Sequence, residues 1–282
     1  MTGSANRGNR PPAERSGRTA PLLLVAGGKG GVGKSLVCAN LALALARRGR
    51  RVLLVDLDLG LGNQHVLFGS SAECNLEHVL LEGTSLREAT VRVAEGVDLL
   101  AAGSGEPGMV GLAPALRAAL ERGLAELRAD YDVVIGDAAA GIGADVLWPA
   151  ALANRVLIVT TPEPAALTDA YGLIKALDAH GHRSALEIPT PELLVNLVAG
   201  PDEAERVARG LRVVSERFLA RSPRLAGWLP RSSEAAQSVL TRRPFVTRQP
   251  GSLAARCIEA LAGHVERSCA LASLKLLARS AE

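Results

Sequence analysis

The chain has 282 residues and a formal net charge of +3. That is long enough to bury most of the surface an unfolded chain exposes, and too weakly charged overall for a polyanion to be its main target. No apolar stretch reaches the roughly 18 residues that span a bilayer, and no apolar core follows a basic N-terminus, so neither a spanning helix nor a signal peptide is expected. Cys38, Cys74, Cys257 and Cys269 contain no pair at the two-residue spacing of a metal-ligand set and read as reduced thiols of a cytoplasmic protein.

Residues 1–20, rich in Gly, Pro, Ser and Arg without apolar periodicity, are expected to form a disordered leader. From Pro21 onward, short apolar runs alternate with helical patterns. The runs 22–26, 52–55, 97–101, 133–136, 156–160, 193–197 and 225–229 predict strands. Helices are expected near 34–48, 75–90, 112–128, 144–153, 164–180, 202–220 and 233–241, with a long one from about 252. Continuous apolar strands separated by helices imply an α/β fold, a mostly parallel sheet of about seven or eight strands covered on both faces. Ligands of such sheets bind at the carboxyl ends of the strands. The expected division is the leader 1–20, one large α/β domain 21–262 and a C-terminal helix 263–282.

The first strand runs directly into GGKGGVGKS at 27–35, and the helical pattern LVCANLALALARR follows. Strand, glycine loop, Lys-Ser and helix in this order make a P-loop. Its glycines let successive N–H groups curve round an anion, Lys34 can reach the β and γ phosphates, and the Ser35 hydroxyl can ligate Mg²⁺. Lys29 is a second lysine in the same loop. Lysine occurs at four positions in this chain against 28 arginines, so two lysines here point to a need for a compact ammonium.

A nucleotide hydrolase also needs carboxylates near its metal and attacking water. The second strand ends in VLLVDLDLGLGN, with Asp56 and Asp58, and DYDVVIGDAAAGIG places Asp137 after four apolar residues in the manner of a Walker B acid.

These motifs together resemble the deviant Walker A ATPases of the MinD/ParA group, over residues 21–262. Within that group, DLDLGLGN, TTPEPAALTDAYGLIK and CNLEHVL are most similar to the flagellar-number regulators called FlhG or FleN. The resemblance implies a slow ATPase that dimerises around two ATP molecules. The nucleotide would lie on Gly28, Lys29, Gly30, Gly31, Val32, Gly33, Lys34, Ser35 and Leu36, with Asn196 at the adenine. Lys34 would hold the phosphates of its own nucleotide, and Lys29 would reach the partner's. Asp58 would orient the attacking water, and Ser35, Asp56 and Asp137 would organise Mg²⁺. Pro162 and Glu163 would lie near the dimer face. A flagellar assembly or regulatory protein is the implied partner.

The sequence departs from the family pattern at three places. Ala138 and Ala139 follow Asp137 where a hydroxyl residue usually comes first, His65 stands where an Asp is usual, and Ser232 replaces an acid. His65 is read either as a pH-responsive switch residue or as a surface histidine with no role. In the tail, Leu271, Leu274 and Leu277 share one helical face, with Lys275 and Arg279 on another. Two readings stay open there: an amphipathic contact with the inner face of the cell membrane, which the resemblance implies, and a helix packed on the domain. Two alternative functions also stay open. One is a ParA-type DNA-segregation ATPase using Arg221, Arg224, Arg231, Arg242, Arg243 and Arg248. The other is a nucleotide-binding regulator of a transcription factor with little hydrolysis.

Overall fold

The structure, a computed structural model, describes residues 19–103, 111–219 and 221–279, with side chains described as far as Cys269. Eight strands form one sheet: β1 (Leu22–Gly27), β2 (Val52–Leu57), β3 (Thr90–Ala94), β4 (Val97–Leu100), β5 (Val133–Ala140), β6 (Arg155–Thr160), β7 (Glu192–Val198) and β8 (Arg224–Pro230). Their order is β3-β4-β2-β5-β1-β6-β7-β8. Every neighbouring pair is parallel except β3 with β4. From β1 the chain builds outward to one side through β2, then returns and builds to the other through β6. The loops leaving β1 and its neighbours therefore open into a crevice at their carboxyl ends.

All six residues of β1 and all six of β2 are buried. Their alternate side chains enter two separate apolar layers, as the two-residue period of a strand requires. Leu22, Leu24, Leu53 and Val55 pack into one layer, and Leu23, Val25 and Leu54 into the other. The first layer is covered by α3 (Leu76–Glu82), α4 (Pro114–Leu127), α5 (Ala144–Leu152) and α6 (Pro164–Ser184). The second is covered by α1 (Lys34–Arg47), the short α9 (Phe245–Arg248) and α10 (Leu253–Arg279). Three further helices, α2 (Gln64–Leu67), α7 (Pro201–Leu219) and α8 (Ser233–Thr241), complete the set named here.

The segment expected as a helix over 75–90 is instead a short helix followed by a strand. Helix α3 starts on Asn75, whose side chain accepts from the backbone N–H groups of Glu77 and His78, and stops at Gly83, which takes φ 76°. After it, TVRVA forms the antiparallel edge strand β3, joined to β4 through Glu95 and Gly96, the latter at φ 75°. The strand's half-buried pattern reflects an edge that leaves much of its length in water.

Helix α10 is continuous from Leu253 to Arg279. Ala254, Ala255, Ile258, Leu261, Ala262 and Val265 are buried against the domain. Glu266 accepts from Arg48 Nε at 2.6 Å and Arg50 Nε at 2.7 Å, which ties α10 to the end of α1. As far as side chains are described, this helix is packed on the domain. Leu271, Leu274, Lys275 and Leu277 lie outside the described side chains, as the leader residues 1–18 lie outside the described chain. No described helix is long and apolar enough to cross a membrane.

Candidate nucleotide and metal site

The loop after β1 takes its shape from glycine at two positions that only glycine adopts without strain. Gly31 has φ 78° and Gly33 φ 98°. Gly33 caps α1, its carbonyl accepting from Val37 N at 3.0 Å. No side chain caps the first N–H groups of α1, and its first turn carries no acidic residue. A helix start left in this state favours an anion, through its N–H groups and the positive end of the helix dipole.

Gly28 meets a different demand, since a Cβ there would lie 2.1 Å from the backbone oxygen of Asp169 in α6. Replacing Gly28 with Ala is therefore expected to displace the loop and weaken binding of a fluorescent nucleotide at least tenfold, by about 1.4 kcal/mol or more. Unchanged affinity in that variant would show that the loop tolerates the shift.

Lys34 is buried at the head of α1, whereas Lys29 projects from the loop with its side chain 42 % exposed. The Lys29 ammonium lies 3.5 Å from Glu163 Oε2, so two residues expected at the dimer face pair within one chain. Asn196, expected at the adenine, is tied to the loop. Its Nδ2 donates to Val32 O at 2.8 Å, and its Oδ1 accepts from Leu197 N at 2.8 Å. A side chain on Gly33 would strike that amide, at 2.5 Å.

Strand register brings the carboxylates together: Asp56 on β2 pairs directly with Asp137 on β5. They are 0 % and 1 % exposed. Burial, then the Asp137 charge, pushes the Asp56 carboxyl up to about 8. Burial also raises Asp137, while the Ser35 hydroxyl, the Gln64 amide, the Lys34 charge and the Cys38 thiol oppose the rise. Asp56 accepts from Asp58 N at 3.2 Å and Gln64 N at 3.0 Å. Asp137 Oδ1 is buried and makes no hydrogen bond of normal geometry among the described residues. Two buried acids with an orphaned oxygen, next to a serine at a helix start, suit a hard divalent cation. Among the described residues no cluster of three or more His, Cys, Asp or Glu side chains could hold a metal alone. A cation at this site would need phosphate oxygens and water to complete its shell, as Mg²⁺ commonly does.

Asp58 is only partly buried, and its Oδ1 accepts from Leu61 N at 3.2 Å, which forms the turn after β2. Ala138 and Ala139 are in β5, which extends past the expected end at residue 136. Ala138 is 1 % exposed within the apolar layer, where a hydroxyl would be cut off from water. Ser232 caps α8 by accepting from Ala235 N, a task that its hydroxyl performs in place of an acid. The Nδ1 atom of His65 is buried with no hydrogen-bond partner among the described residues.

Sequence reading missed Gln64. It is fully buried, and its amide donates to Asp137 Oδ2 at 2.8 Å and to Ser35 O at 3.0 Å. Its signal in the sequence is faint: one amide between the polar Asn63 and His65, three helical positions before Leu67.

Known proteins resemble this chain in sequence and in fold. The model of the CobQ/CobB/MinD/ParA nucleotide binding domain matches residues 23–245. The chain belongs to this family. It is 36 % identical over 245 residues to the antiactivator FleN of Pseudomonas aeruginosa, covering 87 % of this chain and 86 % of that protein. It is 31 % identical over 245 residues to the flagellum site-determining protein YlxH of Helicobacter pylori, covering 86 % and 80 %. Its fold is similar to that of a cobyrinic acid a,c-diamide synthase from Mycobacterium smegmatis solved with an ATP analogue and magnesium, at TM-score 0.70 and 27 % identity over 88 % and 94 % of the two chains. Membership accounts for the order of loop, paired acids and sheet, since all three lie inside the matched span.

Proposed function

We propose that this protein is an ATP- and Mg²⁺-dependent switch that dimerises on ATP, hydrolyses it slowly, and through that cycle controls the number or placement of flagella. The observation that carries the reading is the register of Asp56 against Asp137 beneath a loop that holds one lysine buried and one outward. The buried Lys34 serves the phosphates of its own chain's nucleotide. The exposed Lys29 is free to reach a second chain once Glu163 releases it, and an exposed ion pair of this kind costs only about 0–1 kcal/mol to break. Mg²⁺ held by Ser35, with Asp56 and Asp137 behind it, would supply positive charge to the phosphate oxygens during hydrolysis. Asp58, partly exposed, would turn from Leu61 N toward an attacking water. The flagellar assignment draws on the names of the relatives FleN and YlxH, and the metal and nucleotide assignment on the related synthase holding an ATP analogue and magnesium.

The test uses the full chain with ATP or ADP. We expect ATP to shift the sedimenting species from monomer to dimer, and Asp58→Ala to accumulate that dimer with turnover reduced about a hundredfold or more, the scale for losing a group that orients or activates the nucleophile. Wild-type turnover in Asp58→Ala would remove Asp58 from the chemistry. Mixing the dimer with anionic liposomes tests the proposed visit of this cytoplasmic protein to the membrane through its C-terminal helix. The DNA-segregation reading is weakened by Arg221, whose guanidinium is occupied by Asp178 Oδ1 at 2.7 Å and Ile188 O at 2.8 Å.

A further inference from the structure

Gln64 stands between every group expected to organise the cation. Its backbone N–H donates to Asp56 Oδ2 at 3.0 Å. Its side-chain amide donates to Asp137 Oδ2 at 2.8 Å and to the backbone oxygen of Ser35 at 3.0 Å. One residue thus joins the end of β2, the carboxyl half of β5 and the first turn of α1. Its own Oε1 is buried and has no hydrogen-bond partner among the described residues. The residue is therefore placed by its donors, and half of its side-chain hydrogen-bonding capacity is left unused, an arrangement that costs stability unless another state uses it.

The chemistry of the donors explains the placement. Two adjacent buried carboxylates need positive charge, and the amide N–H groups supply a weak, neutral form of it. A divalent cation organised by Ser35, Asp56 and Asp137 would supply a stronger form; it would meet Asp137 first at the unpartnered Oδ1, and by taking both oxygens of that carboxylate it would compete with the amide for Oδ2. Gln64 is the first residue of α2, and the turn before it carries Leu61, which is 82 % exposed. Release of the amide would loosen its hold on the segment 58–69, in which the exposed Leu61 and Val66 and the half-buried His65 border a surface hollow shared with Asn75 and His78. We propose that Gln64 is a positioning residue that reports cation loading: it holds Asp56, Asp137 and Ser35 together without metal, and its displacement by the cation rearranges residues 58–69. This rests on the nucleotide and Mg²⁺ reading above.

Linkage sets the direction of the test. If the cation must displace the amide, removing the amide makes the cation bind more tightly, and the lost competition is also the lost signal. A residue that merely supports the fold would weaken cation binding when replaced. The probe is a fluorescent ADP analogue bound to the full chain and titrated with MgCl₂, in wild type and in Gln64→Leu, which keeps volume and removes the side-chain donors. Gln64→Met serves the same purpose if the leucine variant does not fold. The half-saturating Mg²⁺ concentration is expected to fall roughly five- to fiftyfold in the variant. Hydrogen exchange over residues 58–69 is expected to change on adding Mg²⁺ in the wild type and not in the variant. An unchanged or higher Mg²⁺ requirement in both variants, or exchange in the wild type that ignores Mg²⁺, overturns the proposal. If the wild type binds no ADP analogue with or without Mg²⁺, the nucleotide reading itself fails and takes this inference with it. Nucleotide binding that is normal but indifferent to Gln64 sinks the inference alone.

Discussion

Lys34→Ala is expected to lose nucleotide binding, and Lys29→Ala to keep it while remaining a monomer in ATP. The two substitutions remove the same ammonium from one nine-residue stretch, so a difference between them must come from position. Lys34 is 8 % exposed, within reach of the Asp137 field and at the start of a helix whose first N–H groups no side chain caps. Truncating a buried charge at a binding site typically costs about 2–5 kcal/mol, or roughly thirtyfold to several thousandfold in affinity. Lys29 is outside that enclosure, paired at 3.5 Å with an exposed Glu163. Its loss should change affinity for ADP by less than about threefold, because exposed ion pairs contribute little. Calorimetry with ADP and sedimentation with ATP measure the two effects separately. Dimerisation of Lys29→Ala equal to wild type would refute a role for this lysine across the interface, and retained affinity in Lys34→Ala would refute the P-loop assignment.

Asp137→Asn is expected to stabilise the nucleotide-free protein at alkaline pH while impairing Mg²⁺-dependent nucleotide binding. The Asp56 carboxyl is held up to about 8, from an ordinary value near 3.8, by burial first and by Asp137 second. The folded chain therefore keeps a proton up to about pH 8 that the unfolded chain loses near pH 4. Across that window the folded state binds more protons, so stability falls as pH rises. Asparagine at 137 can still accept from the Gln64 amide through its oxygen, but it removes the neighbouring charge. The gain in unfolding free energy should be about 1–2 kcal/mol at pH 8.5 and vanish well below the unfolded value of 3.8, where both carboxyls are neutral in either state. Thermal unfolding in EDTA at several pH values measures it. A variant no more stable than wild type at pH 8.5 would mean that the two acids do not repel in the empty site. By the same linkage, Mg²⁺-nucleotide affinity of the wild type should rise between pH 6 and pH 8, since binding must expel the Asp56 proton.

The parts of this protein legible in its sequence are those carried by local pattern. Residues 22–35 combine an apolar run with a glycine loop and a helix, and each piece is specified by its own residues. Both the loop and its place at a strand end could therefore be read directly. The expected helix over 75–90 failed because Thr90 to Ala94 is a half-exposed edge strand whose period is defined only by pairing with β4. The strand at Asp137 was placed correctly but ended too early, since Ala138 to Ala140 carry no strand signal and are held in β5 by neighbouring β1 and β2.

The amino-acid sequence by itself determined the P-loop, the two lysines, the three aspartates at strand ends and the α/β alternation, because these rest on residue types at short spacing. Only the tertiary structure decided that Asp56 faces Asp137, that Asn196 holds Val32, that Lys29 pairs with Glu163, and that Gln64 joins the two acids to the first turn of α1. These contacts link positions from eight to 164 residues apart. Such distances are closed by sheet order and strand register, which depend on how all eight strands bury their two faces at once, and no short window of sequence contains that condition.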